Sequence, residues 1–405
     1  MANFRDFDDE YDYDGLDDKH EEMSIREKYA HKEAESHSKT RRSTKGRVRL
    51  RPWVKALLIG FEIIVVGILV VILLVVNKIS QIEIQPINED VVITRNEDIN
   101  EDTVEVLKGY RNILLVGIDA RDNRAAMLTK KEENHADTMI VASINQDTGD
   151  IKLVSLYRDT LLEIPKCDGQ DGYEYNKATE SYFYYGPEST ISMFNRNFDL
   201  DIEDYVIVNW KALIDIVNAV GGIDIEINDI ELYWLNAYLV DTSVNTGVSY
   251  TEVPTSGYVH LDGIQATAYC RIRYGGGSDY RRTERQRDVI QLVINKAKSM
   301  SPTALYDAAN AIIKNVATSL ELSELYEISQ HITSYNFADS SGFPFEFEPI
   351  SHPVYNDSLV PANLESNVTA LHKFLFGTEN YVPSNTVSSI SDYIITITGV
   401  DQKQE

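Results

Sequence analysis

Hydrophobic and polar positions divide the chain into unlike stretches. Residues 1–40 are dominated by Asp, Glu, Lys, His and Ser and cannot assemble a core, so disorder is predicted there. From Ala56 to Val76 the sequence reads ALLIGFEIIVVGILVVILLVV, with Glu62 as its only charge. As a helix of ~1.5 Å per residue this run reaches ~31 Å, enough to span a bilayer core. Beyond it, apolar positions alternate between strand-like and helical periods. Strands are predicted at Asn112–Asp119, Thr138–Asn145, Ile151–Leu156 and Ile223–Ile227, and helices at Asn209–Val220 and Arg282–Ala297. Tyr269, Cys270 and Arg271 read as part of a further strand leading to Arg273. The succession favours an α/β fold: a single α/β/α sandwich around a central mixed sheet.

Charge orients these stretches. Arg41, Arg42, Lys45, Arg47, Arg49, Arg51 and Lys55 precede the apolar run, whereas Glu83, Glu89 and Asp90 follow it. The asymmetry predicts a single-pass protein of the cell membrane with a cytoplasmic N-terminus and an extracellular main domain. The long polar stretch before the run argues against a cleaved signal peptide. The basic segment is suited to contact with membrane lipid, and any cytoplasmic partner of the tail stays open. The formal net charge of −26 argues against nucleic acid as a ligand. Cys167 and Cys270 are the only cysteines, and their separation leaves pairing undecided.

Against that acidity, residues 271–287 carry six arginines: Arg271, Arg273, Arg281, Arg282, Arg285 and Arg287. Guanidinium groups pair bidentately with phosphate or carboxylate oxygens, so the cluster points to an anion site. Arg282 and Gln286 share a helix face, as do Arg281 and Arg285, and the two faces differ by ~100°. Asp119, Asp137, Arg158 and Asp159 fall at strand boundaries, where side chains project from the rim of a sheet. Two carboxylates beside several arginines suit a Mg2+-bound pyrophosphate, with Mn2+ as a related hard cation. Each residue also has a plain account: Asp119 and Asp137 as turn caps, Arg158 paired with Asp159, the arginines as a solvated face. No Walker-type loop, GxSxG or HExxH motif occurs.

Taken in order, the segments Leu114–Arg121 (LLVGIDAR), Ala136-Asp137-Thr-Met, Val154–Thr160 (VSLYRDT), Asn176-Lys177-Ala, Val220–Asp224 (VGGID), His260–Ala266 (HLDGIQA), Tyr269–Arg273 (YCRIR) and Asp279–Gln286 (DYRRTERQ) resemble the LytR-CpsA-Psr family. These are membrane-anchored enzymes that transfer glycopolymers from a polyprenyl-pyrophosphate carrier to peptidoglycan. The resemblance covers most of residues 110–300. It implies Asp119 and Asp137 as metal ligands, and Arg158, Arg271, Arg273, Arg282 and Gln286 as pyrophosphate-binding groups with Asp279 in the same constellation. Two departures stand out: Asn134-His135-Ala136 replaces an arginine before the Asp-Thr pair, and Arg281 stands where the family has glycine. His135, Arg121 or Arg124 is left to take that arginine's part, and Arg121 joins the expected substrate-binding set.

The implied organisation is a tail with a basic juxtamembrane segment (1–52), a membrane helix (53–77), a linker or accessory strands (78–108), a catalytic domain (109–375) and a C-terminal extension (376–405). Residues after 376 are predicted either to extend the sheet through Tyr393–Thr398 or to trail loosely. The implied reaction is phosphotransfer of a glycan, teichoic acid or capsular polysaccharide, with Asp137, Arg158, Arg273 and Arg282 as the catalytic set. A lipid-pyrophosphate phosphatase and a non-catalytic wall-polymer sensor are the alternatives. The carrier's isoprenoid calls for an apolar tunnel, for which Ile214, Ile216, Val217 and Tyr182–Tyr185 are candidate walls.

Overall fold

A computed structural model describes residues 93–119, 134–166, 172–274, 278–312, 316–320, 324, 328 and 331–402, all within one compact unit. The predicted tail and apolar run, Arg121, Cys167 and Gly275–Gly277 lie outside these residues. Among the described residues no helix is long and apolar enough to cross a membrane.

The first helix, α1 (Glu101–Lys108), is opened by Asn100, whose side chain accepts from the Thr103 N–H. Its few apolar positions hid it, so part of the stretch read as linker or strands is helical. Strands β1 (Tyr110–Ile118), β2 (Ala136–Asn145) and β3 (Asp150–Leu156) form an antiparallel meander. Asn145 makes its second turn by accepting from the N–H groups of Asp147 and Thr148, both at 2.9 Å. The hairpin β4 (Leu161–Pro165) and β5 (Tyr173–Lys177) follows, then α2 (Thr179–Tyr185) and α3 (Pro187–Phe198). Strand β6 (Asp204–Val208) lies parallel to β1 and leads into α4 (Trp210–Ala219), capped by Asn209.

The small sheet of β7 (Ile223–Ile227) and, after α5 (Asp229–Thr246), β8 (Gly257–Leu261) stands apart from the main one. The segment expected as a strand through Cys270 is instead α6 (Gly263–Cys270). A reciprocal capping box between Asp262 and Gln265 starts it, and because every one of its residues is buried, no apolar period marks it as helical. Next come α7 (Ser278–Lys298), α8 (Pro302–Ile312), β9 (Val316–Thr318), β10 (Asn336–Phe343), the hairpin β11 (Phe347–His352) and β12 (Asn356–Pro361), α9 (Leu364–Phe376) and α10 (Asn385–Thr398). Tyr393–Thr398 is therefore helical, neither an added strand nor a loose tail.

The main sheet runs β10-β3-β2-β1-β6-β9 with parallel and antiparallel neighbours. Strand alternation separates its two faces. Leu114, Val116, Met139 and Val141 join the principal core with Phe194 of α3, Leu371 of α9 and Ile390 of α10. Ile140, Ala142 and Leu153 point the other way, toward Ile290 of α7. A separate core unites Ile214, Val217, Leu235, Leu239 and Ile264 from α4, α5 and α6. The result is the expected sandwich around a mixed sheet. Its last helix is packed into the principal core.

Candidate active site

The pairing of β1 with β2 breaks where the chemistry begins. Gly117 faces Thr138 and Ile118 faces Ala136, which leaves Asp137 as the extra residue of a bulge. Bulges re-aim a side chain that regular pairing would send to one face. Gly117 permits the close approach, since a Cβ there would lie 2.9 Å from Thr138 Cβ. Just past β1, the Asp119 carboxylate accepts from the His135 N–H at 3.1 Å.

Three arginines from two distant segments converge on Asp137. Arg158, after β3, hydrogen-bonds its Oδ1. Arg273 approaches Oδ2 at 3.5 Å, and Arg282 donates to the backbone carbonyl at 3.2 Å while pairing with Asp279 at 2.9 Å. Burial, the largest influence on Asp137, pushes its carboxyl up, but the fields of Arg158, Arg282 and Arg273 outweigh it and hold the group below the ordinary carboxylate range. For Arg282, burial and the neighbouring Arg273 and Arg158 outweigh the attraction of Asp279 and Asp137, so its pKa is lowered. Three buried polar atoms here have no hydrogen-bond partner: Arg158 Nε, Arg282 Nε and Gln286 Oε1. Buried polar atoms are normally satisfied, and the nearest carboxylate oxygen to Arg158 Nε, on Asp159, lies 3.6 Å away.

Asp137, Arg273 and Arg282 of this group, with Asp119, line a cavity of about 570 Å3. Its other walls are apolar, among them Leu115 and Val206 of the sheet, Leu213 and Ile216 of α4, and Val293 and Ile294 of α7. Of the predicted tunnel walls, Ile216 serves. Ile214 and Val217 turn into the α4–α6 core, and Tyr182 is enclosed in the principal core. Phe183 stacks on His135 at 4.4 Å, and none of Tyr182–Tyr185 lines the cavity.

The LytR_cpsA_psr family model matches residues 79–343. The chain belongs to this family. It is similar to the Enterococcus faecalis polyisoprenyl-teichoic acid–peptidoglycan teichoic acid transferase TagU, 32% identical over 220 residues that cover 54% of this chain and 64% of that one. The Bacillus cereus protein of the same name is 29% identical over 245 residues, 60% of this chain and 67% of the relative. The matches thus span about two thirds of these relatives. The crystal structure of Bacillus subtilis TagT shares the fold, with TM-score 0.51 and 22% identity over 73% of this chain and 100% of that chain. TagT bound to LIIa-WTA gives TM-score 0.51 at 24% identity over 72% and 98%.

Within this family member the expected site residues separate into two groups. Asp119, Asp137, Arg273, Arg282 and Gln286 line the cavity, with Arg158 and Asp279 bonded to them. Arg271 also lines it but is engaged elsewhere: it lies 3.6 Å from the centre of the Trp210 ring and donates to Thr242 at 2.7 Å and Asp241 at 2.5 Å. Arg285 and Arg287 are buried in the scaffold, and Arg281 pairs with Glu284 at the surface. Burial raises the Cys270 thiol to about 12, which leaves it a protonated wall group and no nucleophile.

Lys177 was not expected as a functional group, although its segment was recognised. Its Nζ meets Asp159 at 3.2 Å, and Asp159 in turn lies 3.6 Å from Arg158 Nε. Trp210, Tyr238 and Tyr274 on the cavity wall were also missed, since nothing in their spacing sets them apart from core aromatics. Among the described residues no cluster of three acidic, His or Cys side chains forms a protein-only metal site. Asp119 and Asp137 both line the cavity, and Mg2+ commonly takes one or two carboxylates and completes its shell with water and substrate phosphates.

Proposed function

We propose that this chain is a phosphotransferase of the cell membrane, single-pass with its catalytic domain outside, that moves a glycopolymer from a polyprenyl-pyrophosphate carrier to a peptidoglycan sugar hydroxyl. The observation that carries the reading is the convergence of Arg158, Arg273 and Arg282 on Asp137 beside a largely apolar cavity of about 570 Å3. A pyrophosphate joined to an isoprenoid has the same two parts. The relatives' names, which specify transfer of polyisoprenyl-linked teichoic acid to peptidoglycan, support the same class.

In this reading the acceptor oxygen attacks the glycan-side phosphorus, forming a new phosphodiester, and the phosphoanhydride bond breaks. Polyprenyl phosphate leaves and the hydroxyl proton is released. Arg158, Arg273 and Arg282 stabilise charge on the nonbridging oxygens and the leaving phosphate. Asp137 sets the positions of all three guanidinium groups, and its lowered pKa makes it a poor proton acceptor. Bound Mg2+, held by Asp119 and Asp137, would supply further positive charge at the pyrophosphate. Membrane attachment raises the effective concentration of a lipid-bound substrate.

The test uses the full chain in vesicles with a lipid-linked glycan and peptidoglycan. The expected result is acceptor-linked glycan plus polyprenyl phosphate, abolished by chelation and restored by Mg2+. Equal release of free phosphorylated glycan without acceptor would identify a phosphatase, and activity untouched by thorough chelation would remove the metal role.

A further inference from the structure

Helix α5 carries two apolar faces, and only one is covered. Leu235, Leu239 and Thr242 turn inward, as does Glu231, which is paired with Arg285. Opposite them, Ile230, Tyr233, Ala237, Val240 and Val244 are all exposed. Their spacing of three and four residues keeps them within an arc of about 80°, centred roughly 180° from the buried side. Large exposed apolar side chains concentrate in this part of the molecule: of thirteen among the described residues, seven fall between Ile230 and Tyr274. A single exposed apolar residue is ordinary, whereas a contiguous stripe marks a surface that meets something apolar.

The stripe is continuous with the cavity. Tyr238, one helical position beyond Ala237, lines it, and Trp234 packs at 4.8 Å on Tyr274, another lining residue. Tyrosine and tryptophan concentrate at membrane–water boundaries, where an apolar ring and a polar tip are both satisfied. Between Asp229 and Asp241 the only charge on α5 is buried Glu231, which leaves about 16 Å of its outer face uncharged. The apolar run ends at Val76 and the described chain starts at Ile93; the intervening 16 residues can span at most about 55 Å, a tether whose length does not dictate which face of the domain meets the bilayer. A net charge of −26 opposes association of two copies through the same face.

We propose that the Ile230–Val244 stripe rests in the bilayer interface and presents the cavity to the membrane, so that a carrier lipid enters along α5 without crossing water. The proposal rests on the lipid-linked substrate inferred above.

The full chain carrying Cys167→Ser and Val244→Cys, labelled with an environment-sensitive fluorophore, is placed in nanodiscs of phosphatidylglycerol and phosphatidylethanolamine. Emission should shift to the blue and be quenched by lipids brominated near the headgroup, while the same label at Val354→Cys stays water-like. The triple variant Tyr233→Ser, Val240→Ser, Val244→Ser should turn over a long-chain carrier in nanodiscs about tenfold more slowly or worse, by loss of three apolar anchors, yet process a water-soluble short-chain pyrophosphate analogue unchanged. A water-exposed, unquenched label at position 244, or cross-linking of two copies through it, overturns the docking. Absence of turnover on both substrates by the unaltered chain would instead sink the transferase reading, and the fluorescence result would still decide the docking.

Discussion

Arg285 and Glu231 meet at 3.1 Å in the interior, both side chains less than a tenth exposed, and Arg285 also donates to the carbonyl of Ile272 between Arg271 and Arg273. One arginine of the cluster thus holds the backbone that carries another. Glu231 further accepts from the Asn228 N–H in the capping box of α5. Arg285→Ala would leave a buried carboxylate unpaired and should cost about 3–5 kcal/mol of stability. Urea unfolding measures this. A change under 1 kcal/mol accompanied by lost pyrophosphate binding would instead place Arg285 in the ligand site.

The site arginines should behave differently. Arg158→Ala and Arg282→Ala remove desolvated donors, and each should weaken pyrophosphate-lipid binding and turnover by about 2–5 kcal/mol. Arg273, whose side chain is 38% exposed, should cost less. Lysine should rescue only in part because a point charge lacks the planar fork. Arg281→Ala, at the surface beside Glu284, is the reference. Equal mild defects at all four positions, measured on folded variants at fixed salt, would replace the pocket with a diffuse basic surface.

The sequence revealed most of this site because its residues sit at strand ends and on one helix face. Asp119, Asp137 and Arg158 were legible from strand boundaries, and Arg282 with Gln286 from their four-residue spacing. The bulge that turns Asp137 toward the arginines was not, since it depends on where β1 and β2 lose register. Arg271 looked equivalent to the site arginines, and only its tertiary partners on α4 and α5 distinguish it, whereas the helix faces already set Arg285 and Arg287 apart from Arg282 and Gln286. Buried helix α6 concealed its period, and α10 was obscured by the β-branched Ile-Ile-Thr-Ile-Thr run, where packing against the principal core overrides local propensity.

His372 gives a pH prediction away from the site. Burial pushes its imidazole down to about 4, and its Nε2 bonds the Phe198 carbonyl at 2.8 Å beneath the stacked ring of Tyr381. Unfolded, it takes up a proton near ~6.5. Between those values the unfolded state binds more protons, so His372's contribution to stability is full above about 6.5 and declines as the pH falls toward 4. His372→Gln should flatten that slope by up to ~1.4 kcal/mol per pH unit. Asp137, held below its normal value, loses its contribution mainly below ~3.9 and so adds little to this window. An unchanged slope in urea titrations from pH 7 to 4.5 would contradict the assignment.

Two neighbouring residues of α4 separate cavity from core. Ile216 faces the open space and Val217 is enclosed among Ile214, Leu235 and Ile264. Ile216→Trp should fill the cavity with little effect on stability, because the added ring enters space that no side chain occupies. Val217→Trp forces the same ring into close packing and should cost about 1–3 kcal/mol or more. If the apolar end accommodates the isoprenoid, Ile216→Trp should reduce affinity for a long-chain pyrophosphate carrier at least tenfold, the scale of a few lost methylene contacts, while a short-chain analogue retains its affinity. Calorimetry with both lengths, beside thermal unfolding of each variant, makes the comparison. Equal binding of the long chain by Ile216→Trp and the unaltered protein would show that the lipid lies elsewhere, and the site would then be confined to the charged end around Asp137.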